Sequence, residues 1–191
     1  MKTKILKSVL LIGAMVALLS FDLPKDWFNG SHNPKQYEMG INKGAGQDGK
    51  NAATIKSIPK KISKYDFGTL MQTCKAEKYI GKRIRMTGFI KSTDLSDWAG
   101  LWLRVDQYGS REDLAFDNME DRGIKGTTAW TKYEIVLDVP TNASELSYGA
   151  LLSGTGQIWF DNISFEIVDK SVKTTGAESV PDEPTNLDFE K

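Results

Sequence analysis

The eight residues from Ala99 to Asp106, AGLWLRVD, constrain this chain more tightly than any other stretch. Strict alternation sends Leu101, Leu103 and Val105 to one face of a β-strand and Trp102, Arg104 and Asp106 to the other. The first face requires a core. A strand with one buried face also needs neighbours, and the chain supplies them in YEMGI, AATIKSI, DFGTLMQTC, KRIRMTGFIKS, LAFDNM, YEIVLDVP and GTGQIWFDNISFEIV. In KRIRMTGFIKS the same rule turns Ile84, Met86, Gly88 and Ile90 inward and Arg83, Arg85, Thr87 and Phe89 outward. In DFGTLMQTC it sets Leu70, Gln72 and Cys74 opposite Thr69, Met71 and Thr73. Only KAEKYIG reads as a helical turn, closed by Gly81. Closely spaced strands without a long helical period predict an all-β, antiparallel β-sandwich of the jelly-roll type over residues 37–170.

The flanks differ from this middle. Residues 1–20 read as a signal peptide, with Lys2, Lys4 and Lys7 ahead of the uncharged apolar run Val9 to Leu19. That run is too short for a spanning helix of roughly 20 apolar residues, so the expected location is extracytoplasmic, periplasmic or secreted. Residues 21–36 form an irregular entry segment, with Pro24, Gly30 and Pro34, pinned by Trp27 and Phe28 and carrying the lone His32. Residues 171–191 carry an acidic excess and almost no large apolar side chain, which predicts a flexible tail or linker. A single cysteine, Cys74, leaves no internal disulfide. With 25 basic and 25 acidic residues and no basic cluster among exposed aromatics, nucleic acid is not the expected partner.

The outward set on AGLWLRVD carries the chemistry. Sugars present C–H faces that stack on indole and hydroxyls that pair with carboxylates, amides and guanidinium groups. Trp102, Arg104 and Asp106 form such a set, Gln72 and Arg85 extend it on neighbouring strands, and Asp117 and Asn118 close it at a strand end. Trp98, beside Asp94 and Asp97, is the candidate platform in a loop. The same residues also suit a self-paired face, with Arg104 holding Asp106 or Asp117 across strands. Catalysis finds no support, because the strand order separates His32 from Cys74 and from any serine, and the Gly-rich GAGQDGKN lacks the spacing and the following helix of a phosphate loop.

The closing run GTGQIWFDNISFEIV joins a Gly-rich turn, an aromatic pair and an Asp that opens a hydrophobe-x-hydrophobe run. It resembles the last strand of galactose-binding-like jelly-roll domains, the β-sandwich family that includes many bacterial carbohydrate-binding modules. YEIVLDVP is similar to that family's penultimate core strands, and the likeness extends from about Tyr37 to Asp169. The resemblance implies an exported, non-catalytic module that binds a glycan or polysaccharide through the Trp/Arg/Asp face, at micromolar to millimolar strength (about 4 to 8 kcal/mol). The alternative it implies is a structural or protein-interaction accessory domain of a larger exported system. The family often holds a structural calcium between its first and last strands. Here that implies Asp161 as a ligand, with Glu38 or Asp48 near the start and carbonyls of the Gly-rich turn completing the shell.

Overall fold

The structure, a computed structural model, describes residues 21–58, 62–63, 66–176 and 187. The expected signal peptide lies outside the described residues, as does most of the expected tail. Among the described residues nine strands follow in order: β1 (Phe28–Asn29), β2 (Tyr37–Asn42), β3 (Ala52–Ser57), β4 (Phe67–Lys75), β5 (Arg83–Asp106), β6 (Asp113–Asp117), β7 (Ile124–Asp138), β8 (Glu145–Ser153) and β9 (Gln157–Val168). All pairings are antiparallel. Among the described residues the only helical pieces are three short 3-10 turns. One of them, Glu77–Tyr79, falls where KAEKYIG predicts a turn, and Gly81 follows with φ of 71°.

The 24-residue β5 ties the two layers together. Its first half, from Arg83 to Thr93, pairs with β7 and β9; its second half, from Ala99 to Asp106, pairs with β8 and β6. Sheet I therefore runs β7-β5-β9-β3-β2 and sheet II runs β6-β5-β8-β4-β1. The sequence pattern predicts two separate strands here. Instead the backbone turns a corner at Asp94, φ 52°, and three register shifts against β7 between Ile90 and Ala99 absorb the bend. The Asp94 amide donates to Thr127 Oγ1 (3.0 Å), so the corner keeps a partner and no loop is needed. β7 likewise begins at Ile124, nine residues ahead of the YEIVLDVP run in which alternation reads a strand.

Alternation fills the space between the sheets. From sheet II come Leu70, Leu101, Leu103, Val105, Leu146, Ala150 and Leu152, and from sheet I come Ile55, Ile84, Met86, Ile90, Ile135 and Ile158, all fully buried. Each such large side chain contributes roughly 1.5–3 kcal/mol by leaving water, which makes this core the main source of stability in a chain with one cysteine. In β9 the pattern changes phase. Ile158 and Phe160 point inward, then Asn162 takes φ 54° and Ile163 and Phe165 pack on the core in their place. Opposite, the β5 register shifts between Thr87 and Phe89, so a β-bulge lets one strand serve the core with even and then odd positions. Trp27 closes one end of the core, its ring 5.9 Å from Tyr148 and 5.8 Å from Phe160.

The stretch expected as a loose tail is held as far as Gly176. Arg83 Nη1 donates to the carbonyls of Lys170 and Val172 (2.6 Å each). Thr175 then lies along the β7 edge, its amide donating to the Val136 carbonyl (2.9 Å) and its Oγ1 accepting from the Val136 amide (2.8 Å). Covering that edge satisfies backbone groups that a free edge strand would present to other chains.

Candidate ligand-binding groove

A groove of about 840 Å³ lies on the outward face of sheet II. Register explains its floor. Met71 of β4, Gly149 of β8 and Trp102 of β5 stand in one row, with Thr69, Leu151 and Gly100 in the next. A side chain at Gly149 would strike the backbone of Leu70 and Met71, so the position is confined to glycine. The Trp102 indole crosses β8 over this bare point, and its Nε1 donates to Thr69 Oγ1 on β4 (2.8 Å). Thr69 Oγ1 in turn donates to the Ala150 carbonyl (2.9 Å). The floor is thus apolar, with its hydrogen-bonding groups already matched inside the protein.

The walls are aromatic and polar. Phe67 and Phe116, 38% and 41% exposed, stand on β4 and β6, and Trp98 packs beside Gly100 and Gly123. Asp66, Asp97 and Ser153 line the end near Phe67; Asn118, Glu120, Lys125 and Arg104 line the side formed by β5, β6 and β7. Asp97 Oδ2 accepts from Ser153 Oγ (2.6 Å). Asp66 bonds to His32 Nδ1 (2.8 Å) and accepts from Gln36 Nε2 (3.1 Å). The local field is negative. Burial, reinforced by the charges of Asp66 and Asp97, holds the Tyr37 phenol protonated far above the usual tyrosine range. Its hydroxyl donates to the carbonyls of Asp66 and Gly154.

Four residues expected from sequence meet in this groove: Trp98, Trp102, Arg104 and Asn118. Trp102 is there in a different capacity, because at 7% exposure it forms the floor and is no free-standing platform. Asp106 does not line the groove and serves Arg104, whose Nε donates to Asp106 Oδ2 (3.0 Å); Ser147 Oγ also donates to that oxygen (3.4 Å). The self-pairing of Arg104 with Asp106 is therefore present, yet Arg104 still lines the groove.

Three other expected residues lie elsewhere. Gln72 is on the opposite side of β4 from Met71 and accepts from the Tyr148 hydroxyl between the sheets. Arg85 sits on the outward face of sheet I, paired with Glu134 (3.2 Å) and Glu166 (2.8 Å). Asp117 pairs in register with Leu103 and so turns into the protein, where it accepts from Arg122 Nη2, Thr175 Oγ1 and the Met119 amide. Alternation assigns a side chain to a face but not a face to a site, which is why these three separate from Trp102.

Of the expected calcium ligands, Asp161 meets the Gly-rich turn, its Oδ2 standing with the Lys50 and Asn51 carbonyls around Gly46, while Glu38 lies apart. Asp161 accepts from the amides of Gln47 (3.2 Å) and Asn162 (2.7 Å), and Asp48 pairs with Lys50 (2.9 Å). Glu38 lies opposite Lys56, itself opposite Gln157, which places it two strands and four residues from Asp161, roughly 16 Å away. Among the described residues no group of three or more His, Cys, Asp or Glu is placed to hold a metal.

Sequence reasoning missed Asp66, Phe67, Thr69, Met71, Asp97, Phe116, Glu120, Lys125, Leu151 and Ser153. For Thr69 and Met71 a signal exists: they alternate with Leu70, so once Leu70 is core they must share the face of Trp102. Phe116 was within the FDNM run but gained meaning only from its register opposite Arg104.

No family model matches the chain. It is 44% identical over 171 residues to the uncharacterized HTH-type transcriptional regulator YbfP of Bacillus subtilis (strain 168), an alignment covering 87% of this chain and 57% of that protein. The chain thus spans little more than half the length of this relative. Among solved structures, the CBM22-1–GH10 modules of Clostridium thermocellum endo-1,4-β-D-xylanase 10B, complexed with xylohexaose, superpose with a TM-score of 0.54 at 14% identity. That match covers 74% of this chain and 26% of the xylanase chain. The CBM22-1 xylan-binding domain of Paenibacillus barcinonensis Xyn10C superposes with a TM-score of 0.51 at 14% identity, over 78% of this chain and 90% of that domain. In fold, the chain is a jelly-roll β-sandwich of the kind found in carbohydrate-binding modules.

Proposed function

We propose that this chain is a non-catalytic binding module that holds a carbohydrate chain in the groove of sheet II. The observation that carries this reading is the groove itself: an apolar floor of Trp102, Met71 and Leu151 flanked by Phe67, Trp98 and Phe116 and edged by Arg104, Asn118 and carboxylates. Apolar surface receives the C–H faces of pyranose rings, while the rim donates to and accepts from their hydroxyls. The fold shared with xylan-binding domains adds support. Export belongs to the same proposal and rests on the basic and apolar run of the first twenty residues.

The test is affinity electrophoresis in gels containing soluble xylan, β-glucan or galactan. Wild type and Arg85→Ala are expected to be retarded alike. Trp98→Ala and Arg104→Ala lose retardation while keeping the wild-type melting temperature. Equal mobility of all four proteins in every gel overturns the reading.

The 44% identity to a transcriptional regulator supports a second reading, in which the domain is the sensing or interaction part of a regulatory protein. Among the described residues there is no α-helix, so the helix-turn-helix in that relative's name has no counterpart there. Under this reading the groove takes a small ligand or a protein segment and no polysaccharide. Binding of free oligosaccharides without retardation by polymers would favour it.

A further inference from the structure

The charges around the groove are unbalanced, and their partners sharpen the imbalance. Asp66, Asp97 and Glu120 line it against Arg104 and Lys125. Arg104 is matched by Asp106, its Nε lying 2.9 Å from Oδ1, so its positive charge is neutralised within the protein. Asp97 accepts from Ser153 Oγ, and Asp66 bonds to His32 Nδ1 and accepts from Gln36 Nε2. Among the described residues Glu120 has no ion-pair partner. Lys125 is then the one lining cation left unmatched there, against three lining carboxylates in number. A carboxylate rim accepts from sugar hydroxyls but repels a ligand that brings its own negative charge, and an apolar floor with matched hydrogen bonds offers no counter-donor to an anion.

We infer that the groove selects uncharged glycans and excludes polyanionic ones such as polyuronates and phosphate-linked polymers. This rests on the carbohydrate reading above and adds the chemical class of the ligand. The lining carboxylates are its specificity-determining groups: they accept hydroxyl protons from a neutral chain and impose a like-charge penalty on an acidic one. The penalty is screened by salt, because the groove is open to water.

The experiment compares soluble polymers that share a backbone and differ in charge: hydroxyethyl- against carboxymethyl-cellulose, and methyl-esterified against de-esterified pectin. Binding is read by calorimetry at low and high salt, with xylan and galactan as further neutral polymers. Wild type is expected to bind the neutral member of a pair about tenfold more tightly at low salt, a gap of ~1.4 kcal/mol that shrinks as salt rises. Glu120→Gln narrows the gap without altering the melting temperature, and Asp66→Asn with Asp97→Asn narrows it further. If the acidic polymer binds as well as its neutral partner or better, the charge selection is overturned while the carbohydrate reading stands. If no neutral polymer binds at all, the carbohydrate reading fails, and the selection with it.

Discussion

On the outward face of sheet I, Arg85 lies between Glu134 and Glu166, Arg83 grips Asp138 through two nitrogens, and the Lys91 ammonium sits over the rings of both Trp159 (4.5 Å) and Trp130 (5.3 Å). On the outward face of sheet II the same residue types enclose a groove, with Trp98, Phe67 and Phe116 around a floor of Trp102 and three carboxylates at the rim. The two faces are alike in composition. They differ in what lies between the large residues. On sheet I, neighbouring rows carry long side chains of opposite charge that reach one another. On sheet II, Gly100 and Gly149 remove side chains from the middle rows, so the aromatics at the margins stand apart. A surface becomes a site when its groups are prevented from satisfying each other.

The largest expected effect separates floor from wall. Trp102→Ala removes a buried indole and leaves Thr69 without its donor, at a cost of about 3–5 kcal/mol in chemical denaturation. Trp102→Phe keeps most of the volume and costs about 1–2 kcal/mol, chiefly the lost hydrogen bond. A Trp102→Ala protein as stable as wild type would mean that the indole is a free platform after all. Next comes Asp117→Asn, which strips charge from the buried acceptor of Arg122 and Thr175. About 2 kcal/mol is expected, along with faster amide exchange at Thr175 and Val136. Unchanged exchange there would show that the segment from Ser171 to Gly176 is held by other means.

Smaller effects test the two faces directly. Arg85→Ala and Arg104→Ala should each change stability by less than about 1 kcal/mol, since both guanidinium groups are partly exposed. Only Arg104→Ala should weaken carbohydrate binding, by about tenfold. Equal losses from both would erase the distinction between the faces. The smallest effect is electrostatic. Hydrogen bonding to Arg83, together with its charge, holds the Asp138 carboxyl below its usual range. A lowered folded-state pKa means stability that is present above the ordinary aspartate range, about pH 4, and is lost as pH falls through the depressed value. Asp138→Asn should therefore flatten the acid limb of the stability profile and leave the neutral plateau slightly lower.

Much of the fold is legible in residue order. Leu101, Leu103 and Val105 are core because they alternate with Trp102 and Arg104, and the Ile84, Met86 and Ile90 set follows by the same rule. The site is legible in part. Trp98, Trp102, Arg104 and Asn118 reach the groove, whereas Gln72, Arg85 and Asp117 obey the same alternation and are carried to the interior or to the other sheet. Asp161 and Glu38 are both on sheet I yet stay apart, because strand order and register set their separation.

The sequence by itself determined which residues are strand, which side of each strand is apolar, and that the middle of the chain needs two layers to bury those sides. A period of two is a property of one strand and can be read from that strand alone. Only the tertiary structure decided that β5 bends from one sheet into the other, that Gly149 opens a track for the Trp102 indole, and that the acidic rim gathers over sheet II. Those outcomes depend on pairings between residues tens of positions apart, where a single step of register exchanges one neighbour for another.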